Sequence, residues 1–405
     1  MQTNATIAVP HHNVKVIGLV SAGHFFSHFY LLLLPPLFPL LRDVYGVGFT
    51  ELGFALTAFS VATGLTQAPI GFLVDRYGAR TILICGLLLE SLCFALIGMI
   101  PLYGALVGLM IVAGLFNAVY HPADYAILNA SVDARRMGRA FSIHTFAGYL
   151  GAAVAPVAMF SLMTVLDWRT SLMICAACGG VVAVLIMFNS DVLHDAAPAR
   201  SANSETGVHA RRGIHLLLSG PILMGLLFFV GISASGHGMT QFSASALHLL
   251  HDVSMTKAGA VLSAFLFAAP LGVLAGGWLA DRARRHDLIA ALCFVVVAAA
   301  AFMVAVMPLP IQVTALLFAI AGFFSGLVAP SRDMMIRAVT PPGEMGKVFG
   351  FVSTGFNIGG MIAPIMFGYI LDRGDPRLVF VAVAIISILT VATVLSAGRQ
   401  GRQSA

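Results

Sequence analysis

Apolar residues run through this chain in blocks of roughly 20 to 25, separated by short clusters of Gly, Pro and charge. A helix rises about 1.5 Å per residue and needs about 20 of them to cross about 30 Å of hydrocarbon, so each block has the length of one membrane span. The pattern predicts spans at 14–41, 50–74, 81–100, 104–128, 139–165 and 170–188, then at 216–246, 256–280, 287–308, 311–336, 347–371 and 377–396. Outer-membrane strands would show short alternating segments instead. The expected fold is an all-α membrane protein with twelve transmembrane helices.

One long hydrophilic stretch, Asn189 to Arg212, divides the chain nearly in half. It predicts two six-helix bundles, residues 1–190 and 216–405, joined by a cytoplasmic linker at 191–215. The halves are also a direct repeat. An ungapped offset of 208 aligns Pro122 with Pro330, Met137 with Met345, Gly138 with Gly346, Phe141 with Phe349, Gly151 with Gly359 and Pro156 with Pro364. An offset of 206 pairs Gly71, Leu73, Asp75 and Arg76 with Gly277, Leu279, Asp281 and Arg282, and one of 213 pairs GHFFSHF from Gly23 with GHGMTQF from Gly236. The two bundles are therefore expected to be pseudo-symmetric.

Composition agrees: 59% of residues are hydrophobic and 10% charged, against about 25% charged in soluble domains. The formal charge of +5 would suggest nucleic acid in a soluble protein, but its placement follows membrane topology. Sixteen Lys and Arg fall on one set of alternate loops and tails and five on the other, with Arg332 inside a helix. By the positive-inside rule both termini are cytoplasmic, in an inner (plasma) membrane, and no nucleic-acid partner is expected. The start of the chain shows no cleavable signal pattern. All five Cys lie in apolar runs, so the CxxC of Cys175 and Cys178 reads as packing rather than as a redox or zinc motif. The absence of a Walker loop, an HExxH or a Ser elbow argues against an enzyme or an ATP-driven pump. No cofactor, catalytic residue or metal ligand is expected.

The segment GFLVDRYGAR, Gly71 to Arg80, follows the second span, and a degenerate copy, GWLADRARR from Gly277 to Arg285, follows the eighth. Gly71 and Gly78 permit close helix approach and a tight turn, while Asp75 is placed to meet a helix N-terminus or Arg136. Together with the twelve spans and the repeat, this loop resembles the signature of the major facilitator superfamily, a resemblance that covers the whole chain. It implies a cytoplasmic gate of Gly71, Asp75, Arg76, Gly78, Arg80 and Arg136, with Asp281 and Arg282 in the second copy. Ala79 departs from the family pattern where a basic residue is usual. Met110 stands where drug antiporters carry an Arg. The antiporter motif of the fifth span survives only as GYLGAAVAP, Gly148 to Pro156. The His-rich first span and the Tyr-His-Pro of the fourth resemble the fosmidomycin-resistance type of efflux protein.

Polar side chains at membrane depth are costly, so each is a candidate for function. His24, Ser27 and His28 share one face of the first span, and His237, Thr240 and Gln241 repeat it in the seventh. These faces are expected to line a solute pathway, although single histidines in such places also serve as packing residues. The fourth span adds Asn117, His121, Asp124 and Tyr125, and Asn357 and His144 are weaker candidates. Asp124 and Arg332 are repeat-equivalent, since 332 − 124 = 208. They are expected to pair, either as an ion pair that opens during transport or as a static cap, with Asp333 nearby. Glu90, mid-way along the third span, is either a buried, hydrogen-bonded carboxyl or a proton carrier.

The function these features imply is secondary active transport by alternating access, as proton-coupled export of a small polar or anionic solute by antiport. Proton coupling falls on Asp124, Arg332, Asp333 and Glu90. Alternatives are proton-coupled uptake of an organic anion, or transport of a transition metal or its chelate through His24, His28, His121 and His237. A non-transporting membrane sensor is the reading from another class. Expected partners are the solute, protons and the lipid bilayer, with the monomer as the working unit.

Overall fold

The computed structural model describes residues 8–133, 136–194, 216–341 and 345–403; most of the expected linker, from residue 195 to 215, lies outside the described residues. Among them, eleven helices are long and apolar enough to cross a membrane. A twelfth span is bent by 56° between Phe49–Gln67 and Pro69–Tyr77. The bend falls where Pro69 removes a backbone donor and crowds the preceding turn. Among the described residues the fold is all-helical, with twelve spans when the bent pair counts as one, in line with the pattern of apolar blocks.

The chain divides into two compact units, Met1–Leu34 with Ala58–Ala202 and Pro35–Thr57 with Asn203–Ala405. Residues 35–57 join the second unit through specific bonds. Asp372 accepts the backbone N–H groups of Phe49 (2.8 Å) and Thr50 (2.7 Å) and the Thr50 hydroxyl, satisfying donors that a helix start leaves open. The Thr57 hydroxyl donates to the Met361 carbonyl at 2.8 Å.

One helix start is repeated in both units. Asp167 accepts the Arg169 N–H at 2.9 Å, and Asp375, 208 residues on, accepts the Arg377 N–H at 3.1 Å. Interiors are packed through small residues, because lipid gives no hydrophobic drive for helices to associate and close backbone approach supplies van der Waals contact instead. In the second unit Gly272 and Gly276 of the span Met255–Ala280 lie against Phe323 and Leu327 of the span Ile311–Ala338, while Gly322 and Gly326 lie against Phe265 and Ala269. These are reciprocal G-x-x-x-G contacts.

The repeat is broken in two spans. The fourth span consists of Tyr103–Asn117 and Tyr120–Ser131, interrupted at residues 118 and 119, four and three residues before Pro122. Its counterpart carries Pro330 at the equivalent place and runs unbroken from Ile311 to Ala338. The seventh span contains a π-helical turn, Gly238–Phe242, between Gly220–His237 and Ser243–His251. That wider turn disturbs the helical register assumed when His237, Thr240 and Gln241 were matched to the first span.

Candidate functional site

In the first unit the break in the fourth span brings His121 and Asp124 to the same place as His24 and His28 of the first span and His144 of the fifth. Asp124 is fully buried. Its Oδ2 lies 2.9 Å from His144 Nε2 and 3.4 Å from His24 Nδ1. The rings of His24 and His144 stack with centroids 3.8 Å apart, and His28 and His121 lie 4.9 and 5.3 Å from His24. Tyr125 closes one edge, 5.8 Å from His144 and 5.9 Å from His121. His24 and His144 are buried, whereas His121 and Tyr125 are exposed on the surface of the unit.

This density of imidazoles needs space that only a missing side chain provides. A Cβ on Gly148 would stand 2.8 Å from His24 Nε2 and 2.9 Å from His28 Cδ2. Gly151 lies directly against the backbone of Phe25. The glycines of the fifth-span motif thus seat the first span and its histidines. His24 Nδ1 and Asp124 Oδ1 make no hydrogen bond among the described residues. The facing ligand atoms of His24, Asp124 and His144 lie within 4.8 Å of one another, close enough to surround one cation, while a proton can be shared along the 2.9 Å contact between Asp124 and His144. One positive charge balances Asp124; a second would put like charges on stacked rings.

Glu90 is built into the scaffold beside this cluster. It is fully buried, accepts Asn117 Nδ2 at 3.0 Å and the Tyr120 hydroxyl at 2.6 Å, and so holds both sides of the break in the fourth span. Asn117 also donates to the Ser27 carbonyl at 3.3 Å. The Ser27 hydroxyl is turned back on the His24 carbonyl at 2.8 Å.

Each member of the expected Asp124–Arg332 pair has a charged or ionisable neighbour inside its own unit: His144 for Asp124 and Asp333 for Arg332. Arg332 Nε donates to Asp333 at 2.8 Å. Its guanidinium carbon lies 5.1 Å from the ring centre of Phe229 and 5.3 Å from that of Phe356. Ser233 donates to the Phe356 carbonyl at 2.7 Å, and His237 Nδ1 donates to the Ser233 carbonyl at 2.7 Å. The Thr240 hydroxyl returns to the Gly236 carbonyl at 2.8 Å. Gln241 is buried with Oε1 unpaired among the described residues, and Asn357 is half-buried.

In the loop after the second span, Gly78 has φ of 88° and starts the next helix at Ala79, a backbone that disfavours any residue with a Cβ. This is the tight turn read from the motif. Arg80 Nη1 donates to the Ser190 carbonyl at 3.3 Å, and Arg76 stacks over Tyr77. Gly71 makes no close approach, since an added Cβ would meet nothing within 4 Å. Asp75 is exposed, and among the described residues it forms no ion pair with Arg136. In the second copy Arg282 donates to the Trp278 carbonyl at 3.1 Å and stacks on its ring, and Asp281 ends the helix.

Sequence reasoning understated His144, which is the nearest partner of Asp124. It missed Tyr120 and the aromatic seat of Arg332. The signal for His144 was available: it lies four residues before Gly148, on the same helix face.

Twelve apolar spans with ionisable groups gathered inside them define a multi-pass membrane transporter. The family model of the Major Facilitator Superfamily matches residues 20–309 and 226–403, and the chain belongs to that superfamily. It is 26% identical over 357 residues to a probable L-galactonate transporter of Escherichia coli K12, covering 82% of this chain and 77% of that one. It is 22% identical over 392 residues to the fosmidomycin resistance protein of the same organism, covering 94% and 92%. The fold is similar to that of a bacterial homolog of the human lysosomal transporter Spinster, with a TM-score of 0.80 at 13% identity, covering 96% and 97% of the two chains.

Proposed function

We propose that this protein is a proton-coupled secondary transporter that exports a small polar or anionic solute by alternating access, with Asp124 and its histidines as the proton site. The observation that carries this reading is the buried Asp124 carboxylate, 2.9 Å from His144 and 3.4 Å from His24. An unpaired carboxylate at membrane depth is expensive, so the cluster must hold or release a proton as its surroundings change. The groups that face Asp124 are His24 and His28 from the first span, His121 and Tyr125 from the fourth and His144 from the fifth; Glu90 and Tyr120 stand behind them. Proton uptake at this site, coupled to a change of access, would exchange protons for solute. The likeness to the fosmidomycin resistance protein supports export, and the surplus of Lys and Arg on one set of loops supports an inner membrane with both termini in the cytoplasm.

The test is flux in proteoliposomes with an imposed pH gradient. Asp124→Asn should abolish gradient-driven movement while solute exchange at equal pH remains. Gradient-driven flux at the wild-type rate in Asp124→Asn would remove the coupling role. Uptake of an organic anion is the second reading, favoured by the likeness to a probable L-galactonate transporter; the direction of net flux against the proton gradient separates the two.

A further inference from the structure

We infer that Arg332, seated between Phe229 and Phe356, is the residue that recognises the oxoanion head of the solute, a carboxylate or a planar oxoanion of similar size. The inference rests on the anionic-solute reading above and assigns Arg332 to solute recognition rather than to partnership with Asp124.

Three observations in the second unit support it. First, the guanidinium is held in place: rings of two spans lie 5.1 and 5.3 Å from its central carbon, and Nε is tied to Asp333 at 2.8 Å. A guanidinium fixed by aromatic faces loses less freedom when it binds a ligand than a mobile side chain does. Second, its remaining donors are open. Asp333 takes only the Nε side, and the two terminal amino groups have no hydrogen-bond partner among the described residues. Those groups form the edge that binds carboxylates and other oxoanions with two parallel hydrogen bonds. Third, the side chain is accessible, being 19% exposed, while Asp333 is 48% exposed. A purely structural arginine at this depth would be expected to spend its terminal donors on the protein, because leaving them unpaired is costly.

The aromatic seat is itself anchored. Ser233 of the seventh span donates to the Phe356 carbonyl of the eleventh at 2.7 Å, which ties the two spans together where the Phe229 and Phe356 rings meet, 4.8 Å apart. A lysine in place of Arg332 would keep the charge and lose both the flat stacking face and the paired donors.

The experiment uses purified full-length protein and measures thermal unfolding with increasing sodium galactonate or sodium nitrate, at constant ionic strength with sodium chloride. Wild-type protein should be stabilised by at least one of the two anions. Arg332→Lys should need about tenfold more of it for the same shift and Arg332→Gln about a hundredfold more. Phe356→Leu keeps the charge, removes one ring and should weaken the response about threefold. It also keeps the test open if Arg332→Gln does not fold. An unchanged anion response in Arg332→Gln and Phe356→Leu would overturn the role of Arg332 while leaving the anionic reading intact. Wild-type protein indifferent to both anions would overturn the anionic reading, and the inference with it.

Discussion

Asp124 of the fourth span and Arg332 of the tenth occupy equivalent positions, yet one is surrounded by imidazoles and the other by phenyl rings. The same offset of 208 sets His144 against Val352 and Gly148 against Phe356. Where the first unit leaves space and fills it with histidine, the second fills the space with an aromatic ring and lays an arginine on it. Two features with a mechanical task did not diverge in this way. The capping aspartates Asp167 and Asp375 are kept, and Gly151 and Gly359 both pack against the neighbouring span. The repeat has preserved these helix contacts and changed the side chains gathered around Asp124 and Arg332.

Converting one unit toward the other tests that division most severely. His144→Val, which installs the residue of the second unit, removes the nearer partner of a fully buried carboxylate. A loss of about 3 kcal/mol or more in denaturant unfolding, together with loss of gradient-driven flux, is expected. Wild-type unfolding in this variant would show that His144 is not the partner that matters. A smaller effect is expected from Gly148→Ala, whose Cβ would stand 2.8 Å from His24 Nε2. The cost should be about 1–3 kcal/mol, while Gly277→Ala, where nothing lies within 4 Å, should stay within about 0.5 kcal/mol of wild type. Equal effects at the two glycines would mean that the space beside His24 is not used.

Tyr120→Phe removes the 2.6 Å bond to Glu90 that holds the break in the fourth span, a bond with no counterpart at Val328. About 1–1.5 kcal/mol of stability should be lost; an unchanged unfolding midpoint would detach Glu90 from the break. The smallest effect is expected at the shared caps. The Thr170 hydroxyl, then the Thr170 amide, hold the Asp167 carboxyl below its usual range. Its contribution is therefore present above the ordinary aspartate pKa of about 3.9 and lost as pH falls through the lower, folded value. Asp167→Asn should flatten that acid limb of the stability curve slightly, and an identical limb in both proteins would contradict the assignment.

Much of the fold was legible because hydrocarbon thickness fixes the length of each apolar block, and because Pro122, Pro330 and the Gly–Asp–Arg loops punctuate both halves alike. The candidate site was legible by residue type and less so by partner. The offset placed Asp124 opposite Arg332, but equivalence under a repeat states which positions correspond, not which side chains touch. Glu90 shows the other limit. Pro122 and Pro330 are equivalent, yet only the first lies beside a break, and the broken span is the one bonded to a carboxylate of a different span. The π turn after His237 likewise left no mark in the spacing of His237, Thr240 and Gln241.

The hairpin at residues 35–57 has a consequence for how the protein is made. Phe49 precedes its capping carboxylate, Asp372, by 323 residues, so a growing chain makes that helix start with its amide groups left to water until the eleventh span leaves the ribosome. Contacts this distant along the chain close late. A break engineered into the polar stretch near residue 200 would therefore yield an amino-terminal fragment carrying an orphan segment, whose proper neighbours arrive only when the carboxy-terminal fragment is co-expressed.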